Sequence, residues 1–132
     1  MTGSQVVALI EAVKTILGFI DDIELGCSRG FDPLGLGRHS IFVVRTGKNS
    51  FYAYQNSCPH SGYGQASMAW KKHQFLSGNG EYIQCGSHGA LFEIATGQCI
   101  SGPCIGESLA PVKVQCDNDG QLFMELTNER DL

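Results

Sequence analysis

YIQCGSHGALFEIATGQCISGPC, residues 82–104, joins three local patterns. YIQC (82–85) is a short apolar and polar alternation, which reads as a strand that ends on a cysteine. GSHGA follows, a loop of small residues that carries His88 three positions after Cys85. LFEI (91–94) and QCI (98–100) then enclose ATG, a hairpin-length connection. The stretch is therefore a strand, a loop with a Cys-x-x-His pair, and a hairpin.

The flanks continue in the same style. Upstream, IFVVR (41–45) and FYAYQ (51–55) read as strands around the turn TGKNS. NSCPHSGYG (56–64) comes next, with Cys58 and His60 two positions apart, Pro59 between them and Gly62 just beyond. Downstream, VKVQC (112–116), the turn DNDG and LFMEL (122–126) predict a last hairpin. DDIELGCSRGFDPLGLGRHS (21–40) reads mostly as turns and loop, punctuated by Gly26, Gly30, Pro33, Gly35 and Gly37. Val6, Leu9, Ile10, Val13, Ile16 and Leu17 have helical spacing, and from about Thr15 a strand fits equally well. The domain expected is an all-β, antiparallel sandwich over 15–127. Residues 1–14 form an N-terminal appendage that can be helical, and 128–132 a C-terminal tail.

Composition agrees. The chain has 132 residues, 17 of them glycine, and is 42% hydrophobic, which suits one turn-rich domain with a modest core. A net charge of −4 argues against a nucleic-acid partner, which would require a basic face. Glu11 and Lys14 interrupt the N-terminal apolar run, so no membrane span and no secretory leader are expected there. A cytoplasmic setting with reduced thiols follows as the expectation, and clustered Cys and His then point to metal or redox chemistry rather than to three disulfides.

The two loops form a pair. Cys58-Pro59-His60 and Cys85-Gly86-Ser87-His88 are separated by 24 residues, and each closes a predicted strand. Two thiolates and two imidazoles can bind one zinc ion or a [2Fe–2S] cluster. Common zinc modules place two cysteines on one knuckle, whereas here each loop supplies one Cys and one His. YAYQNSCPHSG and the stretch 82–104 resemble the two ligand loops and the Gly-Pro loop of the Rieske iron–sulfur family. The likeness is good over residues 40–126 and loose over 15–40.

That resemblance implies one [2Fe–2S] cluster, with Cys58 and Cys85 on the buried iron and His60 and His88 on the outer one. Gly62, Ser87, Gly89, Ala90, Phe92, Gly102 and Pro103 would surround it. High-potential members tie their loops with a disulfide, at positions that correspond here to Tyr63 and Ser87. They also carry a serine and a tyrosine donor where this chain has Ala90 and Phe92. Without those donors the potential is expected near the bottom of the roughly −150 to +300 mV Rieske range. The implied function is a ferredoxin that carries single electrons, with no catalysis of its own. Its donor would be a flavin-dependent reductase and its acceptor an oxygenase, and it would act as a monomer or weak homo-oligomer. A redox- or iron-sensing Rieske protein and a structural zinc module are the alternatives. An oxygenase in this chain alone is excluded, because only His39 and His73 are spare for a mononuclear iron.

The remaining residues have plainer readings. SMAWKKHQFLSGNGE reads as a surface excursion anchored by Trp70 and Phe75. His39 and His73 are expected at the surface. Cys27, Cys99, Cys104 and Cys116 are expected as small buried hydrophobes. Cys99 and Cys104, which flank ISGP, also have the spacing for a disulfide or a redox-sensitive thiol.

Overall fold

The computed structural model describes residues 12–59, 68, 73–86 and 89–127. Nine antiparallel strands lie in three small sheets among these residues. They are β1 (Ala12–Phe19), β2 (Ser28–Phe31), β3 (Ile41–Arg45), β4 (Phe51–Gln55), β5 (Tyr82–Gln84), β6 (Leu91–Glu93), β7 (Cys99–Ser101), β8 (Gln115–Cys116) and β9 (Gln121–Thr127). The sheet orders are β1-β9-β8, β2-β3-β4 and β5-β6-β7. The expected all-β class is the observed one.

Every residue of β3 is buried, so the strand serves two interiors. Side chains alternate along a strand with a period of two. Phe42 and Val44 enter one core with Tyr54, Phe75, Ile83, Phe92 and Leu109. Ile41 and Val43 enter the other with Ile20, Ile23, Phe31, Ala53 and Leu122. The first core lies under the loops that carry Cys58 and Cys85, and the second is closed by β9.

Arg45 ends β3 as a buried cation. Its guanidinium donates to the carbonyls of Ile20 (3.2 Å), Ile23 (2.9 Å), Gly47 (3.2 Å) and Lys48 (2.8 Å). It also reaches the exposed Asp21 carboxylate at 3.3 Å. The exposed ion pair adds little, whereas the carbonyl bonds tie a one-turn 3-10 helix (Ile20–Asp22) to the β3–β4 hairpin.

Three local expectations are corrected. From Ala12 the chain is a strand, paired with β9 from Ala12↔Thr127 to Phe19↔Gln121, so the helical reading fails for the described part of that segment. The expected appendage otherwise lies outside the described residues. SRGF is a strand, paired with β3 from Ser28↔Val44 to Phe31↔Ile41, although its local sequence reads as loop. Gly30 permits the pairing, since a Cβ there would stand 2.6 Å from the His39 ring. VKVQC is strand only at Gln115–Cys116; Val112 and Val114 pack on the second core instead.

Tyr54 links the β2-β3-β4 sheet to the β6–β7 hairpin. Its hydroxyl donates to the Ile94 carbonyl at 2.6 Å, and its ring lies where a Cβ on Gly97 would fall, 2.7 Å away. Gly97 has φ +75°, which also favours glycine. Burial pushes the Tyr54 phenol above its ordinary pKa. The unfolded phenol therefore ionises first, at about pH 10. Its stabilising contribution is complete below that pH and is lost as pH rises through the folded value. Tyr54→Phe is expected to cost about 1 kcal/mol at neutral pH and to flatten this alkaline loss. Urea unfolding of both proteins from neutral pH to about pH 11 checks it.

Candidate metal centre

β4 runs into the first loop and β5 into the second, so each cysteine sits just past a strand that the first core anchors. Cys58 is 1% exposed and Cys85 0%. Both belong to the core of Phe42, Phe75, Ile83 and Phe92, and neither is in a disulfide. His60, Gly62, Ser87 and His88 lie outside the described residues.

A polar chain connects the loops. Asn56, two residues before Cys58, is buried. Its Nδ2 donates to the His39 carbonyl at 2.8 Å, and its Oδ1 accepts from the Met68 N–H at 2.7 Å. The Met68 carbonyl accepts from the N–H of Gly86, directly after Cys85, at 2.7 Å. Asn56 thus sets the distance between the loops through Met68, whose side chain is fully buried in the same core. Nothing in the local sequence marks Asn56 for this task; its closeness to Cys58 is the only signal.

The second loop also closes on itself. Cys85 N–H donates to the Ala90 carbonyl at 2.9 Å, and Gly89 N–H donates to the Cys85 carbonyl at 2.7 Å. Gly89 takes φ +71°, which suits the tight return. Ala90 and Phe92 are fully buried. The third loop, after β7, rests on this one: a Cβ on Gly102 would stand 2.8 Å from the Ala90 Cα. Gly102 has φ +102°, so close approach and backbone conformation both require glycine. Pro103 follows at the exposed tip.

The spare residues are placed differently from their plain readings. His39 and His73 are half-buried and stacked, with centroids 4.9 Å apart. The Gly30 N–H donates to His73 Nδ1 at 3.0 Å, and Ser28 Oγ donates to the His73 carbonyl at 2.8 Å. Phe75 is fully buried and stacks on Phe42 at 4.3 Å, so it is the anchor expected for the 61–84 excursion; Trp70 lies outside the described residues. Cys27 and Cys116 are exposed, against the expectation of burial, because each lies at or beyond the end of a short edge strand. Cys99 and Cys104 are buried free thiols with sulfurs 3.3 Å apart, in hydrogen-bond contact rather than a disulfide.

Comparison with known proteins decides the family. The Rieske [2Fe-2S] domain model matches residues 18–116, three quarters of the chain. The chain belongs to the Rieske family. Its cofactor is accordingly a [2Fe–2S] cluster with Cys and His ligands, and its chemistry is electron transfer. A solved complex of reduced oxygenase and oxidized ferredoxin in carbazole 1,9a-dioxygenase contains a similar chain. That likeness has a TM-score of 0.63 and 26% identity, covering 86% of this chain and 93% of the other. The ferredoxin of carbazole 1,9a-dioxygenase from Nocardioides aromaticivorans IC177 has a TM-score of 0.63 at 23% identity, with 84% and 95% covered. The Sphingomonas yanoikuyae B1 ferredoxin has a TM-score of 0.63 at 20% identity, with 86% and 98% covered. At such identities the last two likenesses concern the fold. No curated protein matches the sequence significantly. Among the described residues, no helix is long and apolar enough to cross a membrane.

The Asn56 tie yields a test. Asn56→Ala leaves the buried Met68 N–H without its acceptor, at a cost of about 2 kcal/mol. The variant is expected to unfold at lower urea and to lose iron faster to a chelator. Asn56→Asp, which keeps an acceptor for Met68, is expected to lie between the alanine variant and the native protein. Urea titration and the decay of visible absorbance measure both effects.

Proposed function

We propose that Cys58, His60, Cys85 and His88 hold the cluster. On this reading the protein is a ferredoxin that takes electrons one at a time from a flavin-dependent reductase and delivers them to an oxygenase. The observation that carries the ligand assignment is the burial of Cys58 and Cys85, the thiols of two paired Cys/His motifs, in one apolar core at the bases of joined loops. Two buried cysteines outside any disulfide fit the inner iron of a Rieske cluster. When bound, the cluster supplies a one-electron couple. With all four side chains bound to it, the cluster would offer no open position for a substrate.

Each part of the chain has a task in this reading. The first core keeps water from the Cys58 and Cys85 sulfurs, which limits reorganisation when charge changes. By the family resemblance His60 and His88 would bind the outer iron and so bring the redox centre within reach of a partner. The oxygenase as acceptor is supported by the 26% identical chain found in a complex of oxygenase and ferredoxin.

Two measurements test the proposal. The dithionite-reduced protein, mixed anaerobically with oxidised Rieske oxygenase in a stopped-flow cell, is expected to be reoxidised with matching reduction of the oxygenase. No transfer to any oxygenase of a representative panel would contradict the acceptor assignment. His88→Cys replaces a neutral ligand with an anion and is expected to lower the reduction potential while iron and sulfide are retained. An unchanged potential would remove His88 from the ligand set.

A further inference from the structure

The loop between β2 and β3 exposes two leucines. Leu34 is 63% exposed and Leu36 53%. A scattered surface leucine is ordinary, but this loop is held in one shape. The Asp32 carboxylate accepts from the N–H groups of Leu36 and Gly37, both at 2.8 Å. The other end is pinned as well. Asn56 Nδ2 donates to the His39 carbonyl at 2.8 Å, and the Asn56 N–H donates to the Ser40 carbonyl at 2.9 Å. Leu34 and Arg38 therefore stand on a loop fixed by Asp32 at one end and, at the other, by the residue two before Cys58.

Leu34 and Arg38 lie on the rim of a groove of about 430 Å³. Its lining is apolar where Ile41 of β3, Val112 and Met124 of β9 meet. Lys113 and Glu125 complete the rim, and the groove runs up to Asn56 and Ser57, directly before Cys58. Glu125 is already engaged: its carboxylate accepts from Gln115 Nε2 at 3.1 Å, and Lys14 stands opposite it in register on β1. Arg38 and Lys113 thus make this groove basic in a chain of net charge −4.

These features select the kind of occupant. The rim side chains Leu34, Arg38, Lys113 and Glu125 are all exposed. A small ligand is held by burying most of its surface, which so open a groove does not do. A segment of another protein fits better, with one apolar side chain on the lining and a carboxylate beside Arg38 and Lys113. The rim is ordered before any partner arrives, so little ordering cost remains to be met on docking.

We infer that this groove is a docking site for the acceptor oxygenase, which would seat there an extended segment carrying an aliphatic or aromatic side chain next to a carboxylate. The inference rests on the electron-carrier reading proposed above. Of the two partners named there, the oxygenase is the one with which a similar chain is found in complex. The rim and the first ligand loop share Asn56, so a partner held at the rim stands in a fixed relation to Cys58. Arg38 and Leu34 are then specificity residues, which act on encounter and leave the cluster untouched.

Stopped-flow transfer from the dithionite-reduced protein, to an oxygenase that the native protein reduces, tests this over a range of oxygenase concentrations and ionic strengths. Arg38→Glu is expected to lower the second-order rate constant about tenfold at low salt, with the loss shrinking as salt is raised. Leu34→Ser is expected to lower it several-fold at every ionic strength. Both variants are expected to keep the native limiting rate at saturation, the native potential and the native iron content. Lys48→Glu makes the same charge change in the turn between β3 and β4, at the end of the hairpin away from Cys58, and is expected to transfer at nearly the native rate. A loss as large as that of Arg38→Glu would reduce the effect to net charge and overturn the inference. Native transfer by Arg38→Glu and Leu34→Ser would overturn it too, as would variants impaired only in accepting electrons from the flavin-dependent reductase. A lowered urea midpoint for Leu34→Ser would assign the groove to a segment of this chain. A native dimer that Leu34→Ser dissociates in sedimentation would assign it to a second copy. Either result overturns the inference. A cluster-loaded native protein that reduces no oxygenase would overturn the acceptor reading and this inference together; efficient transfer indifferent to the groove would overturn only the second.

Discussion

A strand buried on both faces underlies the whole arrangement. β3 places Ile41 and Val43 on one side and Phe42 and Val44 on the other, so two cores share one backbone. Neither core could close without it. The second core ties β1 and β9 to the central sheet, and the first supports the loops after β4 and β5. Arg45, at the end of the same strand, donates to four carbonyls of the turns around it. The loops can be rich in small residues because the strands beneath them are held by packed cores.

From that base the site is built in three layers. Cys58 and Cys85 stand at the apolar floor. Asn56, Met68 and Gly86 fix the separation of the loops by hydrogen bonds. The third loop is seated through Gly102 on Ala90 and buries Cys104 in the same core. A redox centre gains from this rigidity: geometry that changes little between oxidation states keeps the barrier to electron transfer low. The same dry floor makes any donor to sulfur count for more, because no water competes with it.

Much of the fold was legible locally. IFVVR, FYAYQ, YIQC and LFEI are strands within one residue of their expected ends, since apolar alternation and nearby turns coincide there. The misreadings lie where distant partners decide. Residues 12–17 have a spacing that fits helix or strand, and β9 selects strand. Ser28–Phe31 has no strand pattern of its own and is recruited by β3. Val112 and Val114 read as strand in the sequence but pack on the second core beside it. At the site, the paired Cys and His motifs and the stretches around them carry the resemblance to the family, which the domain match over residues 18–116 shows. The tasks of Asn56 and Arg45 were not legible there, because each depends on contacts that only the folded chain creates.

The central claim is that the two Cys/His loops carry a Rieske cluster on a dry, hydrogen-bonded base. Electron paramagnetic resonance of the purified protein, before and after dithionite reduction, tests it most directly. The account predicts a silent oxidised sample and, on reduction, a signal with the low average g-value of mixed Cys and His ligation. A sample that stays silent after reduction, with zinc in place of iron and no labile sulfide, would contradict it.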